Sequence, residues 1–168
     1  MEESGHNVAE SRPQGGLGRP PIGIYPSRCD DKGRVRLPKE FENFVKTLTE
    51  QRFFVTTLDG ATGRIYPIQV WLHNEKVFAE DTEDPERAAR TAFLAHYWGS
   101  EAELDAQGRI LVPPGLRRKL GIEEQKVNLR FYNDAIDLYS EAVSEMRLKE
   151  ATESAHGDLL GLRKRGLK

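Results

Sequence analysis

Apolar residues recur along this chain with two periods, about 2 and about 3.6, and the order in which the two alternate occurs twice. In the first half the pattern reads as extended chain over Ile22 to Tyr25, a turn from Asp30 to Gly33, and a strand from Arg34 to Leu37. Pro38 then enters a short helix on which Phe41, Phe44 and Val45 fall at the i, i+3, i+4 spacing of one buried face. A β-rich run from Phe53 to Leu58 and another from Arg64 to Tyr66 flank Asp59-Gly60, with Gly63 close behind, which predicts a hairpin with a loop longer than two residues. Pro67 ends the second strand and opens a helix through Val77. A further helix is expected from Pro85 to about Tyr97, with Ala88, Ala92, Leu94 and Ala95 on its apolar face and Gly99 as its stop.

The second half repeats that order. Glu101 to Leu104 reads as a strand, Asp105 to Gly108 as a turn, and Arg109 to Val112 as a strand. Pro113 and Pro114 start a short helix with Leu116 and Leu120 on one face, and Gly121 stops it. Lys126 to Phe131 and Ala135 to Tyr139 form a second hairpin around Asn133-Asp134, and a helix follows from Glu141 toward Ser154. Tyr66 and Tyr139 occupy equivalent places, so a whole supersecondary unit is duplicated.

The most legible part of the duplication is a phrase, DDKGRVRLP from Asp30 and DAQGRILVP from Asp105. Its Asp can accept hydrogen bonds from backbone N–H groups two or three residues on, and its Gly can adopt positive φ. Those roles explain Asp30, Gly33, Asp105 and Gly108 as turn-forming residues. They do not explain why Arg follows Gly in both copies. An Arg folded back on its own Asp would form an exposed ion pair that contributes only about 0–1 kcal/mol. An Arg oriented by that Asp, beside loop neighbours such as Lys32 and Gln107, can read a nucleic-acid groove.

Composition changes this picture little. The 168 residues carry a formal charge of -2, with the acids concentrated in EDTEDPE (Glu80 to Glu86) and bases in the two phrases and in the terminal RKRGLK. Segregated charge is compatible with nucleic-acid binding despite the negative total. No apolar run approaches the roughly 20 residues of a membrane helix, and the first residues lack the pattern of a secretory signal, so the expected location is the cytoplasm. Cys29 is the single cysteine and is expected to pack as a small apolar residue. His6, His73, His96 and His156 lack metal spacing, so no metal and no cofactor is expected. Glu101 and Glu103 alternate along a strand as a solvated face, and no phosphate loop or nucleophile elbow is present, which argues against an enzyme or a small-molecule substrate.

The segments CDDKGRVRLPKEF, LDGATGRIYP, YWGSEAELDAQGRILVPPGLRRKLG and IDLYSEAV together resemble the MraZ family of transcriptional regulators, which carry two tandem AbrB/SpoVT-like units. The resemblance runs from about Gly23 to about Ala151. It implies an α+β, mainly β fold, a pseudo-dimeric swapped-hairpin β-barrel built from two tandem β-α-β-β units with peripheral helices. It also implies a homo-oligomer, a ring, on double-stranded DNA in the nucleoid, at direct repeats in the promoter of the operon for cell division and the cell wall. The family's Asp-x-x-Gly-Arg turn maps onto Asp30, Lys32, Gly33 and Arg34 and onto Asp105, Gln107, Gly108 and Arg109.

On this reading residues 1–21 are a flexible N-terminal arm, 22–98 the first unit with its helical linker, 99–154 the second unit, and 155–168 a basic tail. The expected DNA-binding residues are Arg34, Arg109, Lys32, Arg36, Gln107 and Arg117, with the first, more basic turn as principal reader. Phe41-Glu42 departs from the pattern kept by Leu116-Arg117, which puts a phosphate contact from Glu42's position in doubt. The other reading open to such a barrel is a scaffold that binds protein instead of DNA. Salt separates the two, because neutralised phosphates release counterions and a peptide interface has no equivalent.

Overall fold

The computed structural model describes residues 18–168, so most of the expected N-terminal arm, including His6, lies outside the described residues. The elements run β1 (Ile24–Arg28), β2 (Arg34–Arg36), α1 (Lys39–Val45), β3 (Arg52–Thr57), β4 (Gly63–Pro67), α2 (Ile68–Glu80) and α3 (Pro85–Trp98), then β5 (Ser100–Glu103), β6 (Arg109–Leu111), α4 (Pro114–Leu120), β7 (Lys126–Tyr132), β8 (Ala135–Ser140) and α5 (Glu141–Arg163). The fold is mixed α+β, with antiparallel sheets and, among the described residues, five helices.

Local chemistry accounts for the boundaries. Asn133 and Asp134 both take positive φ (50° and 61°), the requirement of a two-residue hairpin turn whose twist matches its strands. Asp84 accepts a hydrogen bond from Arg87 N at 3.0 Å, and Pro85 occupies the first turn of α3, where a missing N–H costs nothing. Gly121 ends α4 in the left-handed region. Helix α5 continues to Arg163, well past the expected end near Ser154. Its N-cap Ser140 accepts from Val143 N at 3.1 Å, and no proline interrupts it, so Gly157 and Gly161 only weaken the continuation. The residues expected to form a basic tail are therefore largely helical.

Strand pairing exchanges the two halves. A six-stranded sheet has the order β1-β7-β8-β4-β3-β5, and a two-stranded ribbon pairs β2 with β6. Hence β1 of the first half lies on β7 of the second, β5 of the second lies on β3 of the first, and β4 pairs with β8. Two of these junctions pair equivalent positions: Val35 faces Ile110 in the ribbon, and Arg64 faces Asp137 between β4 and β8.

The main core draws on both halves. Cys29, Val35, Leu37, Phe41, Phe53, Ile65, Ile110, Val112, Leu116, Ile122, Leu129, Ile136 and Leu138 belong to one buried cluster. Burial pushes the Cys29 thiol upward, so it stays protonated as a packing residue. A second cluster of Tyr66, Trp71, Ala95 and Ala135 fixes the α2–α3 pair, with Phe54 stacked on Trp71 at 4.5 Å between centroids. On α3, Ala88 and Ala95 are buried, while the other expected core positions, Ala92 and Leu94, are half-buried because that helix packs largely on α2. Arg52 lies within 3.6 Å of both Glu101 and Glu103, which occupy the solvated face expected of them.

Candidate nucleic-acid interface

The two Asp-x-x-Gly-Arg turns have the same geometry. Asp30 Oδ1 accepts from the Lys32 and Arg34 amides at 3.0 and 2.9 Å, and its Oδ2 accepts from Arg34 Nε at 2.9 Å. Asp105 Oδ1 accepts from the Gln107 and Arg109 amides at 2.9 Å each, and its Oδ2 accepts from Arg109 Nε at 2.8 Å. Gly33 and Gly108 have φ of +81° and +74°, and each amide donates to its own Asp carbonyl at 3.0 Å. The turns also clasp each other: Leu37 N donates to Gly108 O at 2.8 Å, and Val112 N donates to Gly33 O at 2.9 Å.

Hydrogen bonding holds both carboxyls low. For Asp30 the largest cause is the Arg34 amide, and the Arg34 side chain and Lys32 amide add to it. Burial pushes Asp105 upward, but the Arg109 amide and side chain and the Gln107 amide outweigh it. The ion pair and the outward-facing Arg are therefore compatible, since the carboxylate takes Nε and leaves the end of the guanidinium available.

Side-chain alternation makes the ribbon two-faced. Val35 and Ile110 are buried beneath it, so Arg34, Arg36, Arg109 and Leu111 share the opposite face. Arg36 sits directly across from Arg109, and Arg34 across from Leu111. Pro26, Arg28, Asp30, Arg34, Arg36 and Arg109 line an open groove of about 470 Å³ along this face. Like charges facing each other would ordinarily repel. Here Arg36 Nη1 donates to Gln107 O at 2.8 Å, and Asp105 binds Arg109.

The two copies differ at their edges. Among the described residues neither terminal nitrogen of Arg34 has a hydrogen-bond partner, whereas Arg109 Nη2 is bonded to Gln107 Oε1. Lys32 is exposed at the first turn, and Gln107 stands at the same place in the second. Arg117 does not reach this face, whereas Arg34, Arg36 and Arg109 do. Its side chain is 14% exposed, its Nη1 donates to Val112 O at 2.7 Å, and it packs beneath Gly33, where an added Cβ would lie 1.8 Å from Nη1.

Two residues of this region were not legible as site residues. Arg28 joins the groove from β1 and donates to Glu124 O at 2.7 Å. Its place in the second half is taken by Glu103, so the duplication hides it. Glu42 packs behind Gly108, in the place that Arg117 takes behind Gly33. Its mismatch with Arg117 was visible in sequence, but not which turn it would back.

Strand exchange between duplicated units, with one basic ribbon where their turns meet, defines a class of protein built as an internal dimer around a two-turn surface. Comparison with known proteins identifies the family. A family model described as "MraZ protein, putative antitoxin-like" matches residues 99–156. "Transcriptional regulator MraZ" of Koribacter versatilis is 32% identical over 111 residues, which cover 65% of this chain and 75% of that one. The protein of the same name from Acidobacterium capsulatum is 40% identical over 98 residues, covering 56% of this chain and 65% of the relative. That from Shewanella loihica is 29% identical over 132 residues, covering 77% and 85%. The chain belongs to the MraZ family, a family of transcriptional regulators and not of enzymes.

Proposed function

We propose that the chain is a sequence-specific DNA-binding regulator that lays the β2–β6 ribbon against double-stranded DNA. The observation that carries this is the concentration of Arg34, Arg36 and Arg109 on one face of a two-stranded ribbon, a shape that a major groove admits. Arg34 and Arg109 are the base readers, each oriented by its Asp. Lys32 and Arg36 contact phosphate, and Gln107 contributes at the second turn. Arg117 acts from below, holding the first turn in shape and adding its charge there.

The strand exchange supports a pseudo-dimeric swapped-hairpin barrel, with residues 22–98 and 99–154 as its two units. Such a protein would act in the nucleoid on promoter direct repeats of the division and cell-wall operon. A homo-oligomeric ring presenting several ribbons would multiply modest contacts through effective concentration, which suits a chain whose own net charge gives little long-range attraction to DNA.

Arg34→Ala and Arg109→Ala variants test the assignment. Each should lose about 1–3 kcal/mol of binding free energy on DNA from the chain's own upstream region, with an unchanged circular dichroism spectrum. Unchanged affinity in both variants would remove the assignment. Affinity that is insensitive to salt would instead favour a protein-binding scaffold, because phosphate contacts contribute a log–log slope of about −0.9 each.

A further inference from the structure

The two halves place opposite charges behind equivalent turns. Helix α4 of the second half sets Arg117 beneath Gly33, and helix α1 of the first half sets Glu42 beneath Gly108, where an added Cβ would lie 2.8 Å from Oε2. The Glu42 side chain is only 18% exposed, and Lys46 Nζ donates to its Oε1 at 2.7 Å. The Lys46 hydrogen bond is the largest cause holding that carboxyl low, and the Lys39 and Arg36 charges add to it, so the negative charge persists at neutral pH. The charge nearest each turn is therefore of opposite sign, Arg117 with Glu123 4.0 Å from it under the first and Glu42 paired with Lys46 under the second, a polarity that the backbone symmetry of the ribbon lacks.

We propose that Glu42 is a specificity-determining residue that makes this pseudo-symmetric ribbon a directional reader, by lowering the attraction of the second turn for phosphate relative to that of the first. Symmetry gives the reason. A ribbon with two equivalent turns reads a duplex equally well in either orientation, and its best site is a palindrome. Unequal turns fix one orientation per subunit. Lys32 against Gln107 acts in the same sense, whereas Arg36, which lies across from Arg109 and donates to Gln107 O, keeps a positive charge beside the second turn that Glu42 offsets. Glu42 differs from them because it touches no DNA: it acts through the turn it supports.

This inference rests on the DNA-binding reading, and the experiment separates the two. Binding of the full chain to a short mixed-sequence duplex is measured across a salt series for wild type, Glu42→Gln, Glu42→Arg and, as a net-charge control, Glu153→Gln on α5. Removing one nearby negative charge in Glu42→Gln should tighten binding roughly threefold. Glu42→Arg should tighten it further and steepen the log–log salt slope by up to about 0.9, one phosphate contact. That added gain should shrink when Arg109→Ala is combined with Glu42→Arg, because the gain runs through the second turn.

Glu42→Gln keeps the side chain's size, so it decides the question if the Arg variant fails to fold. Affinities and slopes equal to those of Glu153→Gln would overturn the role of Glu42 while leaving DNA binding intact. A gain undiminished by Arg109→Ala would overturn the route through the second turn, and with it the proposal. Absence of binding by the wild type would overturn the DNA reading and this inference together.

Discussion

Gly33 is a single residue on which backbone, neighbour and function meet. It needs positive φ for the turn, and it leaves the space that the Arg117 guanidinium fills. Gly121 supplies the comparison, since it also has positive φ (+67°) but no atom within 4 Å of an added Cβ. Gly121→Ala should therefore show the backbone cost alone, about 1–2 kcal/mol. Gly33→Ala should lose more stability than this and also weaken DNA binding, because Arg117 must leave the turn. Equal melting temperatures for the two variants would contradict the close approach.

Asp30 sets a pH dependence at the same scale. Its folded-state pKa is lowered, chiefly by the Arg34 amide hydrogen bond, so its contribution is full above the unfolded carboxylate value of about 3.9. That contribution is lost as pH falls through the lower folded value. An Asp30→Asn variant should accordingly show a shallower acid decline in melting temperature than wild type, from a lower starting point at neutral pH. Identical acid limbs would mean that Asp30 is not held by the turn.

At the scale of elements, the ribbon and the α2–α3 pair are separate pieces of packing. Trp71 is buried against Phe54, Tyr66 and Phe78, in a cluster distinct from the one beneath the ribbon. Trp71→Ala should cost about 3–5 kcal/mol of stability, as large aromatic truncations do. The salt slope of DNA binding by the folded fraction should not change. A changed slope would show that the helical pair reaches the interface.

The elements were the most legible feature of the sequence, for a local reason. Glycines at positive φ, prolines at helix entries and the Asn133-Asp134 turn act within a few residues, so their signals survive without tertiary information. The end of α5 was not legible, because Gly157 and Gly161 lower helix propensity without forcing a stop. The candidate site was half legible. Arg34 and Arg109 follow from the duplicated phrase, but that Arg36 faces Arg109, and that Glu42 and Arg117 back the opposite half's turn, depends on strand exchange. Pairing between segments distant in sequence leaves no mark in either segment.

For the whole molecule, that exchange raises the question of why the halves pair within one chain and do not form homodimers of each half. Arg64 faces Asp137 where β4 meets β8, with Nε and Oδ1 2.9 Å apart, and Tyr139 donates to Asp137 Oδ2 at 2.6 Å. These are equivalent positions of the two units, since Tyr66 and Tyr139 follow them at the same distance. A homodimer of second halves would place Asp137 against Asp137, and a homodimer of first halves would place Arg64 against Arg64. Both leave a largely buried charge opposed by its like, whereas the native pair sets opposite charges together. Removing one member of a buried pair typically costs about 3–5 kcal/mol, so Asp137→Ala should destabilise strongly. Separate chains of residues 1–98 and 99–168 should be poorly folded alone and regain a cooperative melt when mixed, because β1 needs β7 and β5 needs β3. Asp137→Arg in the second-half chain should abolish that complementation, and combining it with Arg64→Asp in the first-half chain should restore part of it. A cooperative melt of either half by itself, or complementation indifferent to these charges, would show that the seam does not select the partner.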